Sequence, residues 1–273
     1  VKIKVRNRLT ERLRGKKSLV AYIMAGDPDL EKTAEYVCAI SREVDALELG
    51  VPFSDPIADG PIIQRAGQRA LKGRPTTLAD ILSLLQEVQT DVPIILMSYY
   101  NLIYRYGVSK LTRDASGVID GIIVPDLPLE EASELREHCN INDLCNIFLI
   151  APTTSNERMA HILRSTSGFA YLVSRLGVTG GTTDYVQLRG LISRVQSVES
   201  RYELFEVPTL VGFGVSKPLD VKNVISAGAD GAIVGSALVR EVENGISPND
   251  LAHIARSFKK ATIRKSELAE VET

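Results

Sequence analysis

Three carboxylates stand close together in the stretch Leu47-Glu48-Leu49-Gly50-Val51-Pro52-Phe53-Ser54-Asp55-Pro56-Ile57-Ala58-Asp59-Gly60-Pro61. Glu48 interrupts an apolar run, at a position whose side chain would otherwise enter a core. Burial disfavours the charged form of a carboxyl and raises its pKa, which suits a general acid working near neutral pH. A Glu paired with an internal Arg or Lys would leave the same trace, and on residue type alone the two readings stand level. Asp55 and Asp59 follow in a Pro- and Gly-rich loop. Such a loop can hold carboxylates rigidly at the mouth of a site, but Asp beside Pro or Gly is also ordinary turn chemistry, and turn statistics favour that reading for both.

A second constellation lies in the C-terminal half. Ser174-Arg175-Leu176-Gly177-Val178-Thr179-Gly180-Gly181-Thr182-Thr183 is rich in Gly and Thr and lacks apolar anchors, as expected of a lid whose backbone N–H groups approach an anion. Gly212-Phe213-Gly214-Val215-Ser216 and Gly235-Ser236-Ala237 each follow a short apolar run, and the second opens a helical stretch. Glycines at two such run ends, one leading into a helix N-terminus, form the phosphate site common in α/β barrels. Phosphate binding is therefore the favoured reading. Other chemistries fit poorly. His138, His161 and His253 fall on helical patterns, Cys139 and Cys145 lack zinc spacing, and no Lys lies within or at the end of a predicted strand to form a Schiff base. No P-loop is present, and Gly212-Phe213-Gly214 does not extend to a dinucleotide fingerprint.

The elements that must hold these residues alternate along the chain. Strands are predicted at Leu19–Met24, Ala46–Leu49, Pro93–Met97, Gly121–Val124, Cys145–Ile150, Phe169–Val173, Thr209–Gly212 and Gly231–Val234. Their near-continuous apolar character suits parallel strands covered on both faces. Helical patterns occupy Leu30–Glu43, Thr77–Gln89, Leu129–His138, Asn156–Arg164, Val186–Ser197 and Pro218–Ala227. Eight strand–helix units predict an α/β fold of the (β/α)8 TIM-barrel type, with residues 1–273 forming a single domain. Residues 1–17 carry eight Lys or Arg against Glu11 alone, and read as a solvated helix covering the barrel bottom. The charged stretch after Ser257 reads as an exposed helix end.

Composition narrows the classes further. With 273 residues, 44% of them apolar, the chain suits one barrel. A net charge of −2, no Trp and 5% aromatic residues disfavour a nucleic-acid surface. The longest apolar run, Val92–Met97, is far short of a membrane span. Three cysteines and no signal-peptide pattern point to reduced thiols in a cytoplasmic protein.

The run Asp45–Pro61, DALELGVPFSDPIADGP, resembles the signature of the tryptophan synthase alpha chain family. The likeness continues through Ala25-Gly26-Asp27-Pro28, Tyr99 to Leu102, Asp126 and Pro128, and Tyr171 to Arg175 with Gly177-Val178-Thr179-Gly180. It ends with Gly212-Phe213-Gly214 and Gly235-Ser236, spanning about residues 18 to 262. The resemblance implies retro-aldol cleavage of indole-3-glycerol phosphate to indole and glyceraldehyde 3-phosphate. It also implies that indole passes to a pyridoxal-phosphate beta chain in an αββα heterotetramer, with no cofactor in this chain. By the same resemblance Glu48 and Asp59 are catalytic, while Gly180, Gly214, Gly235 and Ser236 bind phosphate. Tyr22, Ile63, Tyr99, Tyr171 and Phe213 line the indole and glycerol pocket, with Gly177 and Thr179 in the lid. The loop 53–75 and the lid 176–184 would face the beta chain. Tyr22 stands where Phe is usual in the family, Leu176 where Ser is common, and residues 180–183 are richer in Gly and Thr than the usual lid. Two further readings are a stand-alone indole-releasing lyase and a catalytically idle phosphate-binding partner.

Overall fold

Short apolar strands whose two faces are both covered build a closed parallel sheet. A computed structural model describes residues 7–88, 90–173, 184–204, 207–212 and 214–263. Its strands are β1 (Ser18–Met24), β2 (Ala46–Gly50), β3 (Ile94–Met97), β4 (Gly121–Ile123), β5 (Cys145–Ile147), β6 (Leu149–Ile150), β7 (Ala170–Val173), β8 (Thr209–Gly212) and β9 (Gly231–Val234). Every recorded pairing is parallel, in the order β5-β4-β3-β2-β1-β9-β8-β7-β6. The two outermost strands, β5 and β6, are separated in the chain only by Phe148, so they form one stave broken at a single residue. The sheet is thus the eight-stave barrel that the sequence pattern predicts.

Side-chain alternation divides each stave between two cores. Leu47 and Leu49 of β2 belong to the layer between sheet and helices, together with Val37, Ile81 and Leu82. Ala46 belongs to the barrel interior with Val20, Ile95, Phe169, Leu210 and Ile233. That two-residue period turns Glu48 inward.

Helix ends follow local capping chemistry. Thr77 caps the helix Leu78–Glu87 and exchanges hydrogen bonds with Asp80, a capping box. The helical pattern over 129–138 resolves into a 3-10 turn, Leu129–Glu131, and a separate helix, Ser133–Ile141. Ala132 between them has ψ 7°, which breaks the α ladder. Helices at Pro61–Leu71, Tyr100–Tyr106, Val108–Ala115, Ser236–Glu243 and Pro248–Lys260 complete the described helical layer.

At the bottom of the barrel one device occurs three times. Asp45, Asp120 and Asp230 each immediately precede a strand, and each accepts the backbone N–H that opens or nearly opens the neighbouring strand. The donors are Leu19 at 2.7 Å, Ile94 at 3.0 Å and Thr209 at 3.0 Å. Each carboxylate also meets a cation, from Lys259 (2.6 Å), Arg8 (2.9 Å) and Lys17 (2.9 Å) respectively. Lys259 therefore ties the last helix to the barrel, where the sequence pattern suggested a merely exposed end.

The N-terminal helix, Arg8–Leu13, does cover the bottom, but it is not simply solvated. Leu9 and Leu13 are fully buried and join the interior cluster, because eight short strands leave the lower lumen open to apolar side chains. Arg8 and Asn7 then fasten the helix to Asp120. Leu13→Ala should cost about 2–5 kcal/mol of stability, as for other large-to-small changes in cores. Urea denaturation checks this, and a loss below about 0.5 kcal/mol would show that the plug contributes little.

Candidate active site

Glu48 lies between Tyr22 of β1 and Ile95 of β3 in the sheet register, and only 1% of its surface is exposed. Among the described residues no Lys or Arg pairs with it, and its Oε2 has no hydrogen-bond partner. The internal ion pair that residue type alone left open is thus not formed with any described residue. Burial, with the nearby Asp59 charge adding to it, pushes the Glu48 carboxyl up to about 8. The group is an acid that keeps its proton at neutral pH.

Asp59 arrives on the loop after β2. Tyr99, at the end of β3, holds it from two sides. The Tyr99 hydroxyl donates to Asp59 Oδ2 at 3.1 Å and accepts the Ala58 N–H at 2.9 Å. Its ring stacks on Phe53 with centroids 5.0 Å apart. Gln64 donates to the Asp59 carbonyl at 2.8 Å from the first turn of the helix Pro61–Leu71. Burial lifts the Asp59 carboxyl to about 6, against the downward pull of the Tyr99 hydrogen bond. Asp55 points instead to solvent and accepts from the Ser54 hydroxyl, the turn chemistry expected of it.

Two tyrosines complete the floor, each fitted into the space above a glycine. A Cβ at Gly50 would lie 2.0 Å from the Tyr22 hydroxyl, and one at Gly212 would lie 2.1 Å from the Tyr171 hydroxyl. Neither glycine can carry a side chain without displacing a ring. Burial pushes the Tyr22 and Tyr171 phenols well up, and Glu48 and Asp59 add to it, so both stay neutral beside the carboxyls. Ile63 packs with Tyr22, Met24 and Val239.

Across the mouth, Gly235 is the N-cap of the helix Ser236–Glu243, and no side chain caps that end. Its free N–H groups and the helix dipole suit an anion. Gly214 has φ +78°, in the left-handed region, and begins the turn after β8. Asp220 shapes this turn by accepting from Ser216 N–H at 2.9 Å and Lys217 N–H at 2.8 Å, and Tyr185 donates to its other oxygen at 3.1 Å. Gly177, Thr179, Gly180 and Phe213 lie outside the described residues, as does Leu176. On the same rim a cavity of about 410 Å³ opens between the ends of β4, β6 and β7. Its walls include Val124, Pro125, Phe148, Leu149 and Val173.

Sequence reasoning missed the ion-pair network behind this site. Arg69 grips the buried Asp27 with two hydrogen bonds, at 2.8 and 2.7 Å, and reaches Glu243 at 2.8 Å. Arg65 also binds Glu243 through both oxygens. The helix that follows Asp59 is thereby locked to the loop after β1 and to the C-terminus of the helix whose other end carries Gly235. Asp27 stood in a conspicuous Gly-Asp-Pro run, but its partner is 42 residues away and no local signal links them.

This arrangement, a buried acid and a clamped carboxylate facing a bare helix N-terminus, has relatives. The family model for the tryptophan synthase alpha chain matches residues 9–270. The chain belongs to the tryptophan synthase alpha chain family. It is 44% identical over 259 residues to the tryptophan synthase alpha chain of Methanosarcina mazei, covering 93% of this chain and 92% of that one. The Petrotoga mobilis alpha chain is 38% identical over 261 residues, covering 94% of this chain and 97% of the relative. Among solved structures, tryptophan synthase from Mycobacterium tuberculosis superposes with TM-score 0.84 at 30% identity, covering 94% of this chain and 98% of that chain. A chain of the tryptophan synthase a2b2 complex from Pyrococcus furiosus does so with TM-score 0.80 at 37% identity, covering 88% and 97%. The chain is therefore an enzyme subunit of lyase type.

The unpaired burial of Glu48 has a measurable cost. Its carboxyl ionises near 4.5 when unfolded and near 8 when folded, so the folded protein holds the extra proton between those values. Stability should fall as pH rises through that window and level off above it. Glu48→Gln lacks this loss, so its stability relative to the parent should increase from pH 5 to pH 8. Urea midpoints at the two values decide it, and a constant difference would mean that Glu48 is not held protonated.

Proposed function

We propose that this chain cleaves indole-3-glycerol phosphate to indole and glyceraldehyde 3-phosphate by a retro-aldol reaction. The observation that carries the reading is Glu48, a buried acid with an orphan oxygen and no cation among the described residues, beside the half-buried Asp59. Near pH 7, pKa values of about 8 and about 6 make Glu48 mostly protonated and Asp59 mostly ionised. The two groups are set apart as acid and anion.

Glu48 gives its proton to indole C3, which breaks the ring's aromaticity and makes it an electron sink. The C3–C3′ bond then breaks, its electron pair returns to the ring, and the C3′ hydroxyl loses its proton to the Glu48 carboxylate as the aldehyde forms. The proton borrowed from Glu48 is thus restored within one turnover. Asp59 accepts a hydrogen bond from the ring N–H and stabilises the positive charge that develops there. Gly235, Ser236 and Gly214 bind the phosphate, together with Gly180. Tyr22, Ile63, Tyr99, Tyr171 and Phe213 enclose the rest of the substrate, with Gly177 and Thr179 in the lid. These proton transfers need no metal or cofactor within the chain.

Glu48→Gln should lower indole release by at least about 100-fold while indole-3-propanol phosphate still binds. Full activity in that variant would overturn the assignment. The parent's kcat/KM should be bell-shaped, rising as Asp59 ionises near 6 and falling as Glu48 deprotonates near 8. A profile flat from pH 5 to 9 would count against both roles.

A partner completes the reading. Ile57, on the loop that carries Asp59, and Tyr104, on the helix after β3, are large apolar side chains exposed near the mouth. They support docking of a pyridoxal-phosphate beta chain that takes up the indole, in an αββα assembly. No described helix is long and apolar enough to cross a membrane, and the free cysteines suit a reducing cytoplasm. Indole release measured on the chain alone and then with a tryptophan synthase beta chain should rise at least about tenfold in the complex, the scale of a coupling free energy. Equal rates would favour the stand-alone lyase, and no product in either case would favour the idle partner.

A further inference from the structure

A second polar group without a hydrogen-bond partner among the described residues stands beside Glu48. Tyr22 is its direct neighbour in the register between β1 and β2, and it too is buried. Among the described residues no hydrogen bond reaches the Tyr22 hydroxyl. The described side-chain atoms that are enclosed without a partner are Ser18 Oγ and Glu48 Oε2, so the Tyr22 hydroxyl is open to the pocket, where a Phe would pack equally well if no partner were needed. Glu48 and Tyr22, on adjacent strands and both turned into the lumen, point to a ligand that supplies the partners.

The position of the ring indicates which part of the ligand. The Tyr22 ring begins against Gly235, where a Cβ would lie 3.3 Å from Tyr22 Cβ and Cδ1. Its hydroxyl ends over Gly50, two residues beyond Glu48 on the same strand. Tyr22 therefore spans the distance from the proposed phosphate site to the end of the strand that carries the proposed acid. In the substrate, the phosphate and the scissile bond are joined by the glycerol carbons and their two hydroxyls.

We propose that the Tyr22 hydroxyl hydrogen-bonds a glycerol hydroxyl of the substrate and so selects for a polyol chain between the ring and the phosphate. The inference rests on the reaction proposed above. Burial of the ring, with the carboxyls of Asp59 and Glu48 adding to it, opposes ionisation of Tyr22, so the phenol stays a neutral group able to donate. Tyr171, the other tyrosine fitted above a glycine, reaches across from β7, which leaves Tyr22 on the Gly235 side of the floor.

The test compares two ligands that differ only in those hydroxyls. Tyr22→Phe keeps the ring that packs on Gly235 and removes the oxygen. It should lower kcat/KM for indole-3-glycerol phosphate about 5- to 10-fold, the scale of one neutral hydrogen bond. The inhibition constant of indole-3-propanol phosphate, which lacks both hydroxyls, should change less than twofold. That unchanged constant also shows that the variant folds. Equal changes for both ligands, or none for either, would overturn the inference while leaving the reaction intact. A parent protein that neither releases indole nor binds the propanol phosphate would overturn the proposed function, and this inference with it.

Discussion

Everything at the mouth of this barrel depends on a carboxyl kept inside a closed parallel sheet with no counter-charge among the described residues. A cation beside Glu48 would hold it as a carboxylate and make it useless as an acid near neutral pH. The interior supplies none among the described residues, and burial does the rest. The barrel can carry that cost because its lower half is an ordinary apolar core, plugged by Leu9 and Leu13 and filled by Phe169, Ile95 and Leu210. Glu48 stands above that core, toward the upper end of the lumen.

Around that carboxyl the fold sets a second one in a different environment. Asp59 stands on a loop, partly open and fixed by the Tyr99 hydroxyl, so its pKa lies below that of Glu48. The separation comes from depth and hydrogen bonding, since both groups are carboxyls. The loop would be a poor support by itself. Its rigidity comes from the helix that follows it, which Arg65 and Arg69 fasten to Asp27 and Glu243. One helix thus connects the proposed anion of the reaction to the helix whose N-terminus is the proposed phosphate site. Half-exposed members of such a network contribute little stability individually, and their value here is geometric.

The strands were legible because parallel strands covered on both faces are apolar throughout. The predicted limits of Thr209–Gly212 and Gly231–Val234 agree with the structure residue for residue. Helix ends were less legible at 129–141, where a 3-10 turn and an α-helix share one apolar pattern. At the N-terminus, counting charges masked the two leucines that matter most. Glu48 was visible as an interruption of an apolar run, but its chemical character was not, because pairing with a distant cation leaves the same trace in sequence. Asp59 was legible only through the family resemblance, since Asp beside Gly is common in turns.

The sequence by itself determined the alternation of elements, the number of staves, the family, and which residues could do chemistry. Those features are carried by local periodicity and by a contiguous motif. Tertiary structure alone decided that Glu48 faces the lumen with no cation among the described residues beside it, and that Tyr99 clamps Asp59. It also decided that Arg69 binds Asp27 and that the Tyr22 hydroxyl has no hydrogen-bond partner among the described residues. The physical reason is that desolvation, pairing and orphaned polarity are properties of what surrounds a side chain. In a closed barrel those surroundings come from staves and helices far apart in the chain.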